Sequence, residues 1–118
     1  MQDKRKQSRL IVNINCRLES YNKEYEALLL DLSCGGALIS ATAHLYEKEF
    51  PVLGSKVSIT LVDENILKTP LTLKGTVIRI SIGESPFWKL GKFGIEFEGP
   101  PLALTRLISV LSKLKSKV

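Results

Sequence analysis

The sequence predicts a small, mostly β domain in which six antiparallel strands close into a barrel, with one α-helix at the C-terminus. Several short segments alternate apolar and polar residues, which is typical of strands with one buried face. A Pro-Pro pair at positions 100 and 101 then interrupts strand pairing, and leucines recur at helical spacing after it. The 118 residues are enough for one domain with its own core, so we treat 1–118 as a single unit.

The first three strands are predicted from the N-terminal half of the chain. LIVNINCRLE, residues 10–19, alternates strictly, and SYNKEYE, residues 20–26, follows as a hairpin connection. EALLLDLS, residues 26–33, predicts a second strand that ends at Asp31, and GGALIS, residues 35–40, a short third strand. The inward face of the first strand is predicted to consist of Leu10, Val12, Ile14, Cys16 and Leu18.

Three further strands complete the predicted barrel, which spans residues 10–99. They follow a loop that holds His44, and they lie at residues 56–64, 71–82 and 92–99. Gly75 interrupts the middle one and predicts a bulge or bend there. The inward residues of the outer two are Val57, Ile59 and Leu61, and Phe93, Ile95 and Phe97.

The helix is predicted over residues 102–116. Its apolar residues recur every three or four positions, so they share one face of a helix. Lysines near its end suit the negative pole of the helix dipole and keep that end soluble. The apolar face consists of Leu104, Leu107, Ile108, Leu111 and Leu114.

Basic residues are concentrated at the two ends of the chain. The net charge is +5, while residues 1–9 carry four basic side chains and one acidic, and residues 106–118 carry four basic and none acidic. The middle of the chain is therefore net negative. We interpret residues 1–9 as a flexible basic arm. A protein that binds duplex nucleic acid usually spreads its cations over one groove-facing surface, so this distribution argues against nucleic acid as the partner.

The residue inventory argues against an enzyme and against a metal site. His44 is the only histidine, and Cys16 and Cys34 are the only cysteines. Neither a Cys–His or Ser–His–Asp set nor a four-ligand zinc site can be assembled from them. No phosphate-binding glycine motif of the nucleotide-dependent enzymes is present. We therefore predict no catalytic residue, no metal and no cofactor.

The sequence predicts neither membrane insertion nor secretion. No apolar run approaches the ~20 residues that a membrane span requires. The first nine residues are polar and no apolar stretch of a signal peptide follows them. Two cysteines in 118 residues fit a reducing compartment. We expect a cytoplasmic protein.

Two short motifs could bind an anionic ligand. RKQSR places Arg5 and Arg9 four residues apart, so an extended chain presents both on one side at a separation of about 13 Å. Arginine bonds phosphate through two parallel hydrogen bonds and stacks on bases. DLSCGG, residues 31–36, offers the Asp31 carboxylate to the donors of guanine, the Ser33 hydroxyl, and glycines that permit positive φ and close approach of a ligand. Each motif alone also fits a solvated charge run or a turn.

Together the two motifs are similar to the defining pattern of the PilZ domain, the bacterial receptor module for cyclic di-GMP. The family pattern is R-x-x-x-R before the first strand and D/N-x-S-x-x-G after the second, and every defining position is filled here. FGIEFEG near the C-terminus is similar to the family's apolar-Gly-apolar-x-Phe strand, so the resemblance covers nearly the whole chain. It implies a PilZ-like barrel that binds cyclic di-GMP through Arg5, Arg9, Asp31, Ser33 and Gly36.

The resemblance also implies individual roles. The two arginines would hold phosphates and guanine edges or faces, and the other three residues would hold a guanine against the barrel. Trp88 and Phe87 could stack on a base, although packing in the core or at an interface is the simpler interpretation. Weaker candidates for further contacts are Lys4, Lys6, Gly35 and Arg79.

A domain of this kind is expected to act as an adaptor. Nucleotide binding would order the basic arm, change the conformation and alter a surface that a second, unidentified protein contacts. Two alternatives stay open: a PilZ-like interaction module that does not bind the nucleotide, and a small basic barrel that binds single-stranded nucleic acid. The last needs several exposed aromatic residues along a basic groove. Only eight aromatic residues exist, several of them on inward strand faces.

Overall fold

The computed structural model describes residues 9–44, 50–84 and 88–116, which form six antiparallel strands and one helix. The strands close into a barrel in the order β1-β2-β3-β6-β5-β4, so the predicted fold class is confirmed. Lys4, Arg5 and Lys6 of the predicted basic arm lie outside the described residues. The elements are β1 (Leu10–Ser20), β2 (Lys23–Leu32), β3 (Gly36–His44), β4 (Lys56–Leu61), β5 (Leu71–Glu84), β6 (Trp88–Phe97) and α1 (Leu102–Ser116).

Strict alternation in β1 places every second side chain in the barrel interior. Four of the five predicted inward residues are at most 6% exposed, and Leu10, at the end of the strand, is partly buried. The predicted inward faces of β4 and β6 are buried as well. Burial of one such side chain contributes about 2 kcal/mol, which makes this interior the main source of stability. The largest fully buried side chains include Leu18, Leu29, Ile39, Ile59, Leu73 and Phe93.

A two-residue turn joins β1 and β2, so the connection is much shorter than the one predicted over residues 20–26. Tyr21 and Asn22 have φ values of +50° and +66°, and Ser20 pairs with Lys23 across the turn. Two positive φ values are what a type I′ turn requires, and that turn matches the twist of the strands it joins. The polar segment therefore pairs as strand instead of forming a loop.

β3 is longer than predicted, and His44 is its last residue, not part of a loop. The pairing of β3 with β6 runs from Gly36 opposite Glu96 to His44 opposite Trp88. β6 begins four residues before the start that its sequence predicts, and so it offers a partner to the whole of β3. The length of a strand depends on its neighbour as well as on its own pattern.

Gly75 does not lie at a bulge. It pairs with Val57 of β4 and Phe97 of β6, and a Cβ atom at this position would lie 2.5 Å from the carbonyl oxygen of Glu96. The glycine therefore permits a close approach of β5 to β6. The bulge of β5 lies further along, between Val77 and Arg79.

Helix α1 confirms the prediction over residues 102–116. The backbone N–H of Leu104 donates to the Pro101 carbonyl at 3.0 Å in the first turn. Leu104, Leu107 and Leu111 are buried in the core shared with the barrel, and the helix contacts β1. The side chain of Leu114 lies outside the described residues. Within the part of the chain that the structure describes, no helix is long and apolar enough to span a membrane.

Trp88 is half exposed, with 46% of its surface accessible, so the interpretation that it packs in the core is wrong. Phe93, Ile95 and Phe97 face inward on β6, and alternation therefore turns the even-numbered residues of this strand outward. Phe87, the neighbouring aromatic residue, lies outside the described residues.

Candidate functional site

The corner between β2 and β3 is organised by the side chain of Ser33. Its hydroxyl accepts from the backbone N–H groups of Gly35 at 3.3 Å and Gly36 at 3.2 Å, and donates to the Gly36 carbonyl at 3.3 Å. The Ser33 N–H donates to the same carbonyl at 2.9 Å. A hydroxyl has one donor and two acceptor positions, and all three are used here. Ser33 therefore fixes the corner, and a ligand would have to displace one of these bonds to reach it.

Gly36 is needed because two strands approach closely, not because of a positive φ. Among the described glycines, positive φ values occur at Gly54 and Gly99, so Gly36 does not adopt the positive φ that a glycine permits. A Cβ atom on Gly36 would lie 2.3 Å from the carbonyl oxygen of Ile95 on β6. The missing side chain lets β3 begin directly against β6 and keeps the corner close to the barrel wall.

Two β-bulges turn charged side chains to the outside of the barrel. The register shifts in β2 between Leu29 and Asp31, and in β5 between Val77 and Arg79. Leu29 and Val77 are buried, so unbroken alternation would turn Asp31 and Arg79 inward too. The extra residue of each bulge reverses the alternation and turns the charged side chain to the outer face of the barrel.

Asp31 and Arg79 consequently lie at the two ends of one cross-strand row. Asp31 pairs with Leu38, Leu38 with Gly94, and Gly94 with Arg79. Residues directly opposite one another share a face of the sheet. The row spans three strand spacings, about 14 Å. An acceptor and a cation thus face the same side of the barrel with an uncharged strip between them.

Arg9 enters the site from the N-terminal side and pairs loosely with Asp31. Its Nη1 lies 3.4 Å from Asp31 Oδ2, and the two side chains are 41% and 16% exposed. A strong bond between these groups would be about 2.8 Å long, and an exposed pair contributes at most about 1 kcal/mol. The guanidinium keeps most of its five N–H donors for a ligand.

A surface cleft of about 240 Å³ joins these parts. It lies beside the corner and on the row just described, and its charged residues are Arg9, Arg79 and Glu96. Asp31 is not one of the lining residues, but its carboxylate contacts Arg9, which is. The cleft is lined by Arg9, Ser33, Gly35, Gly36, Ala37, Leu38, Ile78, Arg79, Gly94, Ile95 and Glu96.

Arg79 lies flat across the neighbouring strand because Gly94 has no side chain. A Cβ atom on Gly94 would lie 3.2 Å from Arg79 Cβ and 3.6 Å from its Cγ. No hydrogen bond or ion pair joins the Arg79 guanidinium to any other described residue. Its charge is therefore available to an anion or to the face of a base.

The structure brings together five of the predicted site residues and adds others. Arg9, Ser33, Gly35, Gly36 and Arg79 line one cleft, while Lys4, Arg5 and Lys6 lie outside the described residues. Sequence reasoning missed six lining residues. A glycine between apolar residues, as in FGIEF, is typical of a strand over which a long side chain of the neighbouring strand lies, and that pattern could have indicated Gly94. Nothing in the sequence marks the other five, which are Ala37, Leu38, Ile78, Ile95 and Glu96.

A second, larger cleft of about 450 Å³ has one of its two lysines already paired. Lys56 Nζ donates to Glu98 Oε1 and, at 3.1 Å, to Thr76 Oγ1, whose hydroxyl donates to Glu98 Oε1 at 2.8 Å. The bonds from Lys56 and Thr76 hold the pKa of the Glu98 carboxyl below its usual value. Glu19, Tyr21 and Lys74 also line this cleft. Lys56 and Glu98 are thus paired with each other, whereas Lys74 has no ion-pair partner among the described residues.

The two cysteines differ in environment. Burial raises the pKa of the Cys16 thiol to about 12, so this thiol stays protonated and unreactive at neutral pH. Cys34 is partly exposed within the corner. The described residues contain no group of three side chains that could hold a metal ion.

Comparison with protein families gives one match over most of the sequence. The PilZ domain family model matches residues 3–112, a span that includes both motifs, the barrel and most of the helix. No relative among curated proteins matches the chain.

Solved structures with the same fold share little sequence with this chain. The PilZ domain with c-di-GMP of YcgR from Escherichia coli matches with a TM-score of 0.69 at 16% identity, covering 98% of this chain and 94% of that one. The Bacillus subtilis inhibitor of motility, MotI/DgrA, matches with a TM-score of 0.70 at 14% identity. The K. pneumonia MrkH–c-di-GMP complex matches with a TM-score of 0.65 at 14% identity. The alignments cover 98% of this chain and about half of each of these last two proteins, 53% and 54%.

Proposed function

Since the chain belongs to the PilZ domain family, we propose that it is a receptor for cyclic di-GMP, without enzymatic activity, that signals to a protein partner in the bacterial cytoplasm. The nucleotide binds in the cleft between Arg9, the β2–β3 corner and Arg79. The observation that carries this proposal is the row that sets Asp31 and Arg79 on one outer face. Two of the similar structures, the YcgR domain and MrkH, are named as carrying c-di-GMP.

The chemistry of the cleft suits a guanine nucleotide with two phosphates. The Asp31 carboxylate has about four lone-pair positions, so it can accept from guanine N1–H and N2–H₂ while it keeps its contact with Arg9. The Arg79 guanidinium, which has no partner among the described residues, offers a planar cation to a phosphate or to the face of the second guanine. Leu38 and Gly94 form a flat strip between the two charges. A planar base can lie on that strip.

Arg5 completes the proposed site from outside the described residues. The cleft of about 240 Å³ is smaller than the several hundred Å³ typical of ligand sites. Arg5 precedes Arg9 by four residues, about 13 Å of extended chain, so it can reach over the cleft from the side that Arg9 borders. The nucleotide then brings the N-terminal segment against the barrel. We expect amide exchange at residues 4–9 to slow when the nucleotide is added, and unchanged exchange at saturation excludes this conformational step.

Calorimetric titration with cyclic di-GMP tests the proposal directly. The wild type is expected to bind saturably, and Arg5→Ala/Arg9→Ala to lose at least about 100-fold in affinity, since each lost charged hydrogen bond costs about 1.5–3 kcal/mol. Arg17→Ala is the matched control, because Arg17 is an exposed arginine of β1 that pairs with Glu24 outside the cleft. Circular dichroism checks that each variant is folded. If titration of the wild type gives no binding heat, the result supports the alternative that this domain is an interaction module that does not bind the nucleotide.

Salt dependence separates a dinucleotide from a nucleic-acid strand. Two phosphates contribute a shallow fall of affinity with salt, whereas a strand that contacts many phosphates loses orders of magnitude between 50 and 200 mM, about 10³–10⁵ for six to ten contacts. A steep salt slope together with tighter binding of a single-stranded oligonucleotide favours the nucleic-acid alternative.

A further inference from the structure

Two exposed apolar side chains stand side by side on the outer face of β6. Trp88 and Leu90 are 46% and 43% exposed, and alternation points both away from the core. We propose that this pair, which we call the β6 patch, is a docking site for an acidic and apolar segment of a partner protein. The proposal does not depend on nucleotide binding.

The residues beside Leu90 are small, so its side chain protrudes from the sheet. Leu90 lies between Thr42 of β3 and Gly83 of β5 in one cross-strand row. A Cβ atom built on Gly83 meets nothing within 4 Å, so the sheet beside Leu90 is open to an approaching chain. Exposed tryptophan next to another apolar side chain is the composition of an interface anchor, since tryptophan is among the residues that contribute most to protein association.

The charge beside the β6 patch indicates an acidic partner. Lys92 follows Leu90 on the same outer face, opposite Ser40 and Ser81. Lys92 is exposed, and no carboxylate among the described residues lies within ion-pair distance of it. A partner that inserts an apolar side chain at Trp88 and Leu90 can set a carboxylate against Lys92. Complementary charge of this kind selects the partner and guides the encounter.

The same charges disfavour other occupants. Two copies of the chain each carry a net charge of +5, and a symmetric contact through the β6 patch would bring one Lys92 towards the other. A nucleic-acid strand needs a groove of several cations, whereas the described outer face between the β6 patch and the cleft carries two, Lys92 and, in the next row, Arg79.

The β6 patch is separate from the cleft. Gly94 in the cleft and Trp88 are six residues apart on β6, which corresponds to about 20 Å. The two surfaces share one outer face of β3, β6 and β5, so a partner on the β6 patch would lie beside the proposed nucleotide. Failure of either proposal can be recognised without the other, because the β6 patch is tested with no nucleotide present.

Trp88 is the only tryptophan of the chain, so its fluorescence reports on the patch itself. The probe is a synthetic ten-residue peptide that alternates glutamate with leucine and valine and contains no aromatic residue. We expect it to shift the Trp88 emission to shorter wavelength saturably, because docking removes the indole from water. The matched peptide with lysine in place of each glutamate is expected to cause no shift.

Variants then separate the two contributions to docking. Leu90→Ala is expected to weaken binding of the acidic peptide by about tenfold, the scale of a lost apolar anchor. Leu102→Ala removes another exposed leucine, 68% accessible and on the helix, and serves as the control with unchanged binding. Lys92→Glu should reverse the preference, so that the lysine peptide binds and the glutamate peptide does not.

Four results overturn the proposal. The first is an equal shift with both peptides, and the second is no shift with either peptide up to about 1 mM, which corresponds to an interaction weaker than about 4 kcal/mol. The third is a shift that grows with protein concentration in the absence of any peptide. The fourth is a larger shift with a single-stranded oligonucleotide than with the acidic peptide. The third result would indicate self-association, and the fourth a nucleic-acid surface.

Discussion

The two clefts of this barrel differ in what their cations already contact. The larger one holds Lys56, which is bonded to Glu98 and Thr76, and Lys74, which has no ion-pair partner among the described residues. The smaller one holds Arg9, loosely paired with Asp31, and Arg79, which has no partner among the described residues. Size alone would favour the larger cleft as a ligand site, at about 450 Å³ against about 240 Å³. Available charge favours the smaller cleft, because two arginines there keep guanidinium donors for a ligand, whereas the larger cleft offers one such cation, Lys74.

The difference separates polar groups that stabilise the fold by bonding to one another from polar groups that stay available to a ligand. Thr76 lies on β5, and Lys56 and Glu98 lie on or beside β4 and β6, so their bonds join three neighbouring segments. Arg79 is turned outward by a bulge and bonds to no other described residue. A cation that the fold presents without using it is the better candidate for binding.

Charge reversal in each cleft is expected to give the largest contrast. Arg79→Glu places a carboxylate where the proposal puts a phosphate or a guanine face, and should lower the affinity for cyclic di-GMP by about 100-fold or more, which corresponds to about 3 kcal/mol. Lys74→Glu makes the same change of charge in the second cleft and should alter affinity less than about twofold, because exposed charges beyond a Debye length of about 8 Å are screened. Calorimetry measures both. Equal losses in the two variants would remove the distinction between the clefts.

Glycine substitutions test the close approaches that shape both clefts. Gly36→Ala and Gly75→Ala each direct a Cβ atom at a carbonyl oxygen of β6, at 2.3 and 2.5 Å. Backbone must move to accommodate either, so we expect a loss of about 3 kcal/mol in the free energy of unfolding. Gly54→Ala meets no atom but keeps a φ of +84°, and should cost about 1 kcal/mol. Urea unfolding gives all three values, and a Gly36→Ala variant as stable as Gly54→Ala would contradict the packing described here.

A smaller effect is expected at the glycine under Arg79. Gly94→Ala brings a methyl group to 3.2 Å from Arg79 Cβ, which tilts the side chain away from the strip. Nucleotide affinity should fall roughly fivefold, which corresponds to about 1 kcal/mol, the scale of one weakened hydrogen bond. Gly83→Ala adds the same methyl group to β5 in open space and is the control. An affinity that is unchanged in Gly94→Ala would mean that Arg79 does not need its present position.

The smallest effect belongs to the ion pair of the second cleft. The pKa of Glu98 is lower in the folded chain than its ordinary value of 4.5, so its ionised form stabilises the fold at pH values above 4.5. That contribution is lost as the pH falls through the lowered folded value. The stability difference between the wild type and Glu98→Gln should therefore shrink on acidification from pH 7 to about 3, by thermal unfolding. Nucleotide binding at pH 7 should be the same in both proteins.

Much of the barrel follows from the sequence because alternation is a local property. The inward faces of β1, β4 and β6 and the span of α1 could be predicted from periodicity. The full length of β3 could not, because residues 42–44 pair with β6 and not with β2. The same limit applies to Gly75, because the atom that a Cβ there would meet is the carbonyl oxygen of Glu96 on β6, which the local pattern around Gly75 does not indicate.

The site was predictable in part for the same reason. The two motifs indicated Arg9, Ser33 and Gly36, which are neighbours along the chain or across one corner. Parity alone assigns Arg79 to the inward face shared with Val77, and only the bulge between them turns it outward. The role of Ser33 as a ligand contact stays a prediction. In the structure its hydroxyl bonds to the backbone of Gly35 and Gly36.

The measurement that tests the central claim most directly is an amide chemical-shift titration with cyclic di-GMP, read at the glycines. Gly35, Gly36 and Gly94 line the smaller cleft, and Gly75 lines the larger one. Our account predicts large, saturable shifts for the first three and almost none for Gly75. Shifts centred on Gly75, or no shift at any of the four glycines, would contradict it.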